Sequence, residues 1–422
     1  MLGHLVEQPA RLAELALADG VDETRLFLAI GLLLGQERPG RDLPPQIVTA
    51  LTQSVAGGVT EAHKAAVRAL AEIDRDDVVA WLMGLLQGED RVLQTASARL
   101  LVAIDYRAWD DDLARMEQVA DRVRLGRLLA EVGDPRPGVG TILRSGQKLP
   151  DIVWGGEVPA GRYTIGGDER AFGSKAQKQV PIKQPYRLAR YPVTYAQFQC
   201  FVDAPDFGDE RWWREMPAEE KAYGQNYRLR EMSEQAFQFD NHPREMVSWY
   251  QAMAFGRWLT AKLHAGELPA GVLSGDVGQY RITLPHEYEW EVAARWPNSD
   301  VASRLYPWGP EFDAAKANTG EGERIGQTTA VGIYPAGRNA ALELYDLSGN
   351  VWEWCLNKYD EPEDEVVEGS GAQRVLRGGS WDFTADFARA ACRYYHPPAD
   401  RDYNGGFRLV VVGGGGASSP IS

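Results

Sequence analysis

The spacing of apolar residues changes between residues 132 and 156, so the segments before and after this point are expected to have different secondary structure. Up to about Ala130, apolar residues return every three or four positions, which is typical of amphipathic helices. Beyond Pro150 the apolar segments are short and rich in Trp, Tyr, Gly and Pro, which indicates a loop-rich α+β domain. Pro and Gly punctuate the stretch between them. We therefore predict a helical domain at 1–132, a linker at 133–155, a second domain at 156–412 and a flexible tail at 413–422.

Individual helices are predicted in both halves. In the first half, Val59–Ile73 and Glu89–Ile104 share a helical period and a small-residue interior, and the apolar segment DVVAWLMGLL lies between them. A short HEAT-like array and an irregular helical bundle both explain this pattern. In the second half we predict helices at Ser248–Leu263, where Ser248 can cap the first turn, and at Leu284–Trp296.

Charge and composition exclude some classes of partner and location. The formal net charge of −15 would repel a nucleic acid or an anionic membrane, so we expect neither as a partner. The apolar run Leu26–Gly35 is too short to cross a bilayer, and no basic leader with a cleavage site precedes it. Cys200, Cys355 and Cys392 are too widely spaced for a disulfide framework or a zinc site. We expect a cytoplasmic protein with reduced thiols.

Eight segments of the second half identify a family by their order. They are EVPAGRYTIGGDE at Glu157, YPVTYAQFQCFVD at Tyr191, HPREMVSWYQAMAFGRWL at His242, YRITLPHEYEWEVAARW at Tyr280, YPWG at Tyr306, LYDLSGNVWEW at Leu344, RVLRGGSW at Arg374 and GFRLV at Gly406. Together they resemble the formylglycine-generating-enzyme (sulfatase-modifying factor) family. The resemblance implies a C-type-lectin-like fold of mixed helices and short antiparallel strands.

Two of these segments also have a physical interpretation of their own. In GNVWEW, Trp352 and Trp354 alternate with Glu353, so a strand would point both indoles to one face and the carboxylate to the other. This predicts a core strand with a polar reverse side. In RGGSW the paired glycines allow close backbone approach, and Trp381 can pack beneath them. We expect both motifs to serve folding rather than catalysis.

The resemblance implies calcium as a cofactor. In the family, the segment that matches LYDLSGNVWEW supplies oxygen ligands to a calcium ion, and carboxylates with carbonyls are suitable ligands for it. The matching positions here are Asp346, the carbonyls of Gly349 and Val351, and Glu353. A second family site maps onto Asn318, Thr319, Glu323 and the carbonyl of Ile325. Pairing of Asp346 and Glu353 with arginines is the alternative to the first site.

The resemblance also shows which metals are not expected. The oxidases of the family bind copper with two cysteines after the RGGS motif, because thiolates are the ligands that Cu(I) prefers. This sequence has Phe383 and Ala388 there, and Cys392 matches a position that is not catalytic in the family. A related branch of iron-dependent sulfoxide synthases uses a histidine cluster. No such spacing occurs among the six histidines, which are His4, His63, His242, His264, His286 and His396. We therefore expect neither copper nor iron.

The segment between RGGSW and GFRLV has an unusual composition. Residues 382–406 contain three Tyr, two Phe, one His and four Asp, but no Lys, Glu, Gln, Met or Trp. Mutation of the adenines in AAC or AAT codons produces the first group and cannot produce the second. This pattern, within a candidate variable region at 374–410, resembles the variable proteins that retroelements diversify by adenine-directed mutagenesis. Members of that group bind ligands through the variable side chains.

The resemblance predicts which side chains vary and which hold the scaffold. The predicted variable, ligand-binding residues are Asp382, Phe383, Thr384, Asp386, Phe387, Cys392, Tyr394, Tyr395, His396, Asp402, Tyr403 and Asn404. The predicted scaffold residues are Arg389, Arg393, Pro397 and Arg401. Because Tyr and Phe give large contact areas and Asp, Asn and His give adaptable polar contacts, this composition suits a binding surface. We expect these side chains on one exposed face, whereas an ordinary core would bury most of them.

Three functions follow from these observations. The first is a ligand-binding protein that recognises a protein or another macromolecule at the variable face and reaches an effector through its helical domain. The second is an oxidoreductase-type or otherwise uncharacterised enzyme, which would use Arg377, Arg393 or Glu353 in a cleft. The third is a structural assembly protein. A flat aromatic face favours the first, and a concave pocket with convergent titratable groups favours the second.

Overall fold

The computed structural model describes residues 45–413 apart from 270, 272, 274, 275, 301, 323 and 368–370. The chain separates into two compact units, Met1–Trp109 and Asp110–Ser422. The predictions for residues 1–44, which include the run Leu26–Gly35, and for 414–422 of the tail lie outside the described residues. Within the described part, no helix has both the length and the apolar character that crossing a membrane requires.

The first unit is helical, as predicted. Its helices are α1 (Pro45–Val55), α2 (Glu61–Ile73), α3 (Arg75–Gln87) and α4 (Arg91–Ala103). Three of them begin where a capping side chain accepts from free backbone amides: Thr60 precedes α2, Asp74 precedes α3, and Asp90 precedes α4. The hydroxyl of Ser97 donates to the carbonyl of Leu82 at 2.6 Å, which joins α4 to α3. The HEAT-like arrangement stays a prediction.

The boundary between the units differs from the predicted one at residue 132. Helix α5 (Trp109–Arg115) begins at the division, and α6 (Val119–Val132) lies inside the second unit. Arg122 of α6 donates to the carbonyl of Ile333 at 3.2 Å, and a side chain at Gly126 would lie 2.9 Å from Ala330. The periodicity revealed this helix but could not reveal which unit it packs against.

The predicted linker at 133–155 is also structured. It contains the hairpin of β1 (Thr141–Arg144) and β2 (Gln147–Pro150), in which Leu149 is fully buried. Before the hairpin, Arg136 donates to the carboxylate of Asp134 at 2.7 Å, and both side chains are buried. The segment predicted as a linker is therefore a folded part of the second unit.

The second unit combines helices with short strands, which confirms the α+β prediction. Besides α6, its helices include α7 (Tyr195–Val202), α8 (Glu210–Trp213), α9 (Trp249–His264) and α10 (Glu287–Ala294), with short 3₁₀ turns at Val277–Gln279, Ala314–Lys316 and Pro335–Gly337. Its further strands are β3 (Gly161–Ile165), β4 (Lys178–Ile182), β5 (Tyr186–Leu188), β6 (Glu219–Ala222), β7 (Gln225–Arg228), β8 (Arg281–Thr283), β9 (Trp352–Lys358), β10 (Arg374–Arg377), β11 (Tyr394–His396), β12 (Gly405–Gly406) and β13 (Val410–Val412).

Two sheets and two hairpins organise these strands. One sheet has the order β11-β10-β9-β12, and the other has the order β5-β13-β8. The pairs β3-β4 and β6-β7 are separate antiparallel hairpins. Within the larger sheet β10 is antiparallel to β9 and to β11, while the short β12 is parallel to β9. This sheet places the C-terminal segment beside the GNVWEW strand.

The two helices predicted for this unit are present. Helix α9 begins directly after Ser248, whose hydroxyl accepts from the amide of Gln251 at 3.3 Å, as the prediction required. Helix α10 is shorter than the predicted Leu284–Trp296. It begins after His286, which acts as the capping residue and accepts from the amide of Tyr288 at 3.0 Å.

Strand β9 has the predicted carboxylate on the reverse of its two tryptophans, but this side is buried as well. Glu353 is as fully buried as the tryptophans on either side, with 0% of its surface exposed. Arg408 holds it through two hydrogen bonds of 2.6 Å, and the indole of Trp290 donates to it at 2.6 Å. The carboxylate points into the core because a buried arginine neutralises it there.

The glycines of RGGSW have the predicted role. Gly378 and Gly379 both have positive φ values, 94° and 74°, which favour glycine. A side chain at Gly379 would lie 3.0 Å from the backbone of Ala388, so the chain passes closely here. Trp381 is buried and packs against the rings of Phe237 and Tyr403.

Candidate ligand-binding face

The segment between RGGSW and GFRLV forms a surface beside the larger sheet. It leaves β10 after Arg377, runs through turns, returns as β11 and reaches β12. Strand β11 pairs with β10 so that Tyr395 lies opposite Val375. Because β11 is the outer strand of this sheet, the turns before and after it lie at the border of the fold.

Most side chains predicted to vary are accessible. Thr384 and Tyr403 are exposed, and eight others are partly exposed, namely Asp382, Phe383, Asp386, Phe387, Tyr394, Tyr395, His396 and Asp402. The prediction is wrong for two residues. Cys392 is fully buried in the main core, and Asn404 is buried because its side-chain amide donates to Asp382 at 3.1 Å.

Five of the accessible aromatic side chains contact one another. We call the set Phe172, Phe383, Phe387, Tyr394 and Tyr395 the aromatic face. Ring centroids lie 5.0 Å apart for Phe383 and Phe387 and 5.6 Å apart for Tyr394 and Tyr395. Trp352 of β9 lies beneath the face, with 1% of its surface exposed, and stacks on Tyr394 at 5.1 Å. A rigid core residue thus supports rings that are partly open to solvent.

The predicted scaffold arginines are buried beneath or beside the face. Arg389 donates to Asp168 at 2.9 Å, and Arg401 donates to Glu220 at 2.6 Å. Arg393 donates to Glu287 at 2.8 Å. Pro397, the fourth predicted scaffold residue, is only partly buried. The three arginines therefore fix the segment to the fold through buried ion pairs.

Polar groups form the border of the face. The hydroxyl of Tyr403 donates to Asp382 at 3.3 Å, and Ser380 donates to the same carboxylate at 2.7 Å. On another side, Asp386 accepts from Arg170 at 2.9 Å. Hydroxyls, carboxylates and a guanidinium are therefore available around the aromatic rings.

Sequence reasoning missed contributors from distant segments. Phe172, with 43% of its surface exposed, comes from the turn before β4 and stacks against Phe387 at 5.5 Å. Tyr359 at the end of β9 lies 4.6 Å from Tyr395. Tyr223, with 69% exposed, comes from the β6-β7 turn and contacts His396. An aromatic residue in a turn was the only available signal for Phe172 and Tyr223.

The residues proposed for an enzymatic cleft do not form one. Arg377 is fully buried and donates to Glu291 at 2.7 Å, and Glu353 is paired with Arg408. Arg393 is held by Glu287. Burial alone would raise the pKa of Glu287, but the hydrogen bond and charge of Arg393 outweigh it and keep this pKa below its usual range. These groups therefore form structural ion pairs in the core.

The positions that match the copper cysteines contain no metal ligand. Phe383 belongs to the aromatic face, and Ala388 is buried. All three cysteines are free and buried. Burial raises the pKa of the Cys392 thiol to about 12 and that of Cys200 to about 11, and it raises the pKa of Cys355 well above its usual value. The thiols stay protonated at neutral pH and are poor nucleophiles or copper ligands there.

One carboxylate of the first predicted calcium set is already paired with an arginine, and calcium at this set stays a prediction. Both oxygens of Glu353 already accept charged hydrogen bonds from Arg408. Asp346 accepts from the amide of Gly332 at 2.7 Å, and burial raises its pKa to about 6. Glu353 therefore has the arginine partner expected from the sequence as the alternative to calcium binding. A calcium ion at this set would compete with Arg408 for Glu353.

The second calcium set stays a prediction. Glu323, its only carboxylate, lies outside the described residues. The side-chain amide of Asn318 donates to the carbonyl of Gln327 at 2.9 Å, and the hydroxyl of Thr319 accepts from the backbone amide of Glu321 at 3.3 Å.

The histidines in the described part of the chain occupy separate sites. His63 contacts Ser54 in the first unit, and His242 contacts Thr328 in the second. His264 and His286 contact backbone carbonyls, while His4 lies outside the described residues. Among the described residues, only His396 joins a group of three residues that suits a metal ion.

Comparison with known proteins identifies relatives of this architecture. A family profile described as the sulfatase-modifying factor enzyme 1-like domain matches residues 143–412. This match confirms the C-type-lectin-like fold class expected for the second unit. A helical region precedes that unit in the chain. The hercynine oxygenase of Mycolicibacterium thermoresistibile is 29% identical over 371 residues, which cover 76% of this chain and 75% of that protein.

Other relatives differ in their names. The mouse inactive C-alpha-formylglycine-generating enzyme 2 is 28% identical over 61% of this chain and 85% of that protein. Among solved structures, variable protein 1 of Treponema denticola has 21% identity and a TM-score of 0.42, with 64% of this chain and 97% of that chain covered. PvdO from Pseudomonas aeruginosa has 23% identity and a TM-score of 0.45, with 66% and 99% covered.

Proposed function

We propose that this chain, which belongs to the sulfatase-modifying factor enzyme 1-like family, binds a ligand at the aromatic face rather than catalysing a reaction. One observation carries the proposal. Within residues 382–404, ten of the twelve side chains predicted to vary are accessible, while the three arginines between them are buried in ion pairs. An ordinary core segment would not separate these two groups by exposure.

The chemistry of the face suits a broad ligand. Tyrosine and phenylalanine offer rigid contact area at low entropic cost, and the surrounding Asp382, Asp386 and Asp402 add adaptable polar contacts. A cavity of about 210 Å³ lies elsewhere in the unit, lined in part by Lys183 and His286, and contains no face residue. We therefore expect a protein or another macromolecule as the ligand, with no role for nucleic acid or membrane.

Diversification by a retroelement explains the composition of the face. The accessible positions hold residues that adenine mutagenesis of AAC or AAT codons produces, and the segment 382–406 lacks the residues that it cannot produce. Such a mechanism requires positions that tolerate change, and accessible side chains tolerate it best. The helical first unit would then connect recognition to an effector. We place this activity in the cytoplasm, where the three free cysteines stay reduced.

An enzymatic function is the alternative, and the relatives named hercynine oxygenase favour it. Phe383 and Ala388, which replace the expected copper cysteines, and the paired state of Arg377, Arg393 and Glu353 weigh against it. The name of the mouse relative describes it as an inactive C-alpha-formylglycine-generating enzyme, so a family member can lack that activity.

Two libraries of the full chain test whether the face tolerates variation. The first, called the face library, randomises Phe387 and Tyr395 of the aromatic face together with Thr384 and Tyr403, the two exposed members of the predicted variable set. The second randomises Arg389, Arg393 and Arg401 with the same codons. Each face substitution should change stability by no more than about 1 kcal/mol, whereas each arginine loss should cost about 3–5 kcal/mol because it leaves a buried carboxylate unpaired. Protease resistance of displayed variants measures the folded fraction. Equal survival of the two libraries would contradict the proposal.

Selection for binding tests recognition itself. Folded members of the face library are selected on one immobilised protein, beside a control library at the exposed Arg91, Val92 and Arg99 of α4. We expect binders from the face library and none from the control. Recovery from the control alone, or from neither library, would argue against a binding face.

A further inference from the structure

Three potential metal ligands converge at the border of the aromatic face. His396 ends strand β11, and Asp400 and Asp402 follow it in the turn towards β12. One ligand atom from each side chain lies within 4.8 Å of the other two. Asp400 is buried, and the other two side chains are partly exposed, so the group opens towards solvent.

The hydrogen bonds within this group leave one atom with competing partners. Nδ1 of His396 lies 2.9 Å from a carboxylate oxygen of Asp400, and the hydroxyl of Tyr223 contacts the same nitrogen. If the phenol donates to this nitrogen, the nitrogen carries a lone pair and cannot also donate to the carboxylate; if it carries a proton, the two oxygens share it. A cation at the point of convergence would let the imidazole and the carboxylate both act as electron-pair donors.

Charge supports the same conclusion. Among the described residues, neither Asp400 nor Asp402 forms an ion pair with a lysine or arginine. The neighbouring Arg401 points its guanidinium to Glu220 instead. One oxygen of each aspartate accepts from a backbone amide, that of Arg401 at 2.9 Å and that of Tyr403 at 2.8 Å, which orients both carboxylates. Two close carboxylates without a cation repel each other, and a divalent ion removes this cost.

We propose that His396, Asp400 and Asp402 bind a divalent cation of the zinc type. One imidazole and two carboxylates form a ligand set that suits Zn²⁺ and similar ions such as Co²⁺. Three protein ligands leave a coordination position open on the exposed side. The ring of Tyr394 in the aromatic face lies 5.3 Å from that of His396, so the ion would lie where a bound ligand could supply a further donor atom. The inference rests on these contacts and does not depend on the ligand-binding function.

Cobalt titration of the tag-free full chain tests the site, because bound Co²⁺ gives visible d–d absorption. We expect one ion per chain, displaced by Zn²⁺. His396→Gln and Asp402→Asn should each weaken binding by about tenfold or more, since even the loss of a side chain that merely orients a metal ligand can have effects of that size. His264→Gln is the matched control, because His264 contacts the carbonyl of Tyr280 and lies outside the group.

Both test positions are partly exposed, and circular dichroism checks that the variants fold. Absence of Co²⁺ and Zn²⁺ binding at millimolar concentration would overturn the proposal. Binding that is unchanged in both folded variants would also overturn it, because the ion would then occupy another site.

Discussion

Arg408→Ala is expected to lower the free energy of unfolding by about 3–5 kcal/mol, because it leaves the carboxylate of Glu353 buried without its partner. Arg408 also donates to the carbonyls of Ala189 and Tyr345, at 3.1 Å and 2.8 Å, which would lose these hydrogen bonds. Urea unfolding followed by tryptophan fluorescence measures the change.

Arg170→Ala is the control for this prediction. Arg170 pairs with Asp386 on the surface, where 70% of its side chain is exposed. We expect this change to cost less than about 1 kcal/mol, since solvent screens exposed ion pairs. Equal stability of the two variants would mean that the pair of Arg408 and Glu353 does not hold the core together.

Trp352→Ala is expected to cost about 3–5 kcal/mol, because it opens a cavity beneath the aromatic face. The indole is buried and contacts the rings of Phe383, Phe387 and Tyr394. Thermal and urea unfolding both measure the loss. Tyr403→Ala is the matched aromatic control and should cost less than about 1 kcal/mol, since 44% of Tyr403 is exposed.

The comparison of the two alanine variants shows whether an accessible ring contributes as much to stability as the buried Trp352. If Tyr403→Ala destabilised the protein as much as Trp352→Ala, the accessible rings would be part of the core. The interpretation of the face as a binding surface would then fail.

Local sequence signals predicted several helices of the fold, among them α2, α4 and α9, but not α7 or α8. Ser248 lies directly before α9, as predicted, because capping depends only on residues within one turn. The end of α10 was less predictable, since tertiary packing decides how far a helix continues. The location of α6 in the second unit depends on contacts with distant residues such as Ile333.

Strand β9 shows where sequence patterns lose information. The alternation of Trp352, Glu353 and Trp354 correctly predicted a strand. It did not predict that Glu353 is buried, because its partner Arg408 is 55 residues further along the chain. Alternation shows which side chains point the same way, but not what covers the other side.

The candidate site was predictable only within its own segment. The composition of 382–404 identified Phe387, Tyr394 and Tyr395, which are accessible. It did not identify the burial of Cys392, which depends on the packing of the core. Phe172 and Tyr223 reach the site from segments more than 150 residues away in the chain, and the metal group required the observed turn between His396 and Asp402.

The central claim is that a retroelement diversifies this face for ligand binding, and the DNA downstream of the gene tests it most directly. We predict a near-copy of the final coding stretch that differs from the gene only where the copy has adenine, close to a reverse-transcriptase gene. The differing codons should be those of accessible residues such as Phe387, Tyr395 and Tyr403, and not those of Arg389 or Arg393. A complete genomic neighbourhood without such a copy, or a copy whose differences are spread over all four bases, would contradict the claim.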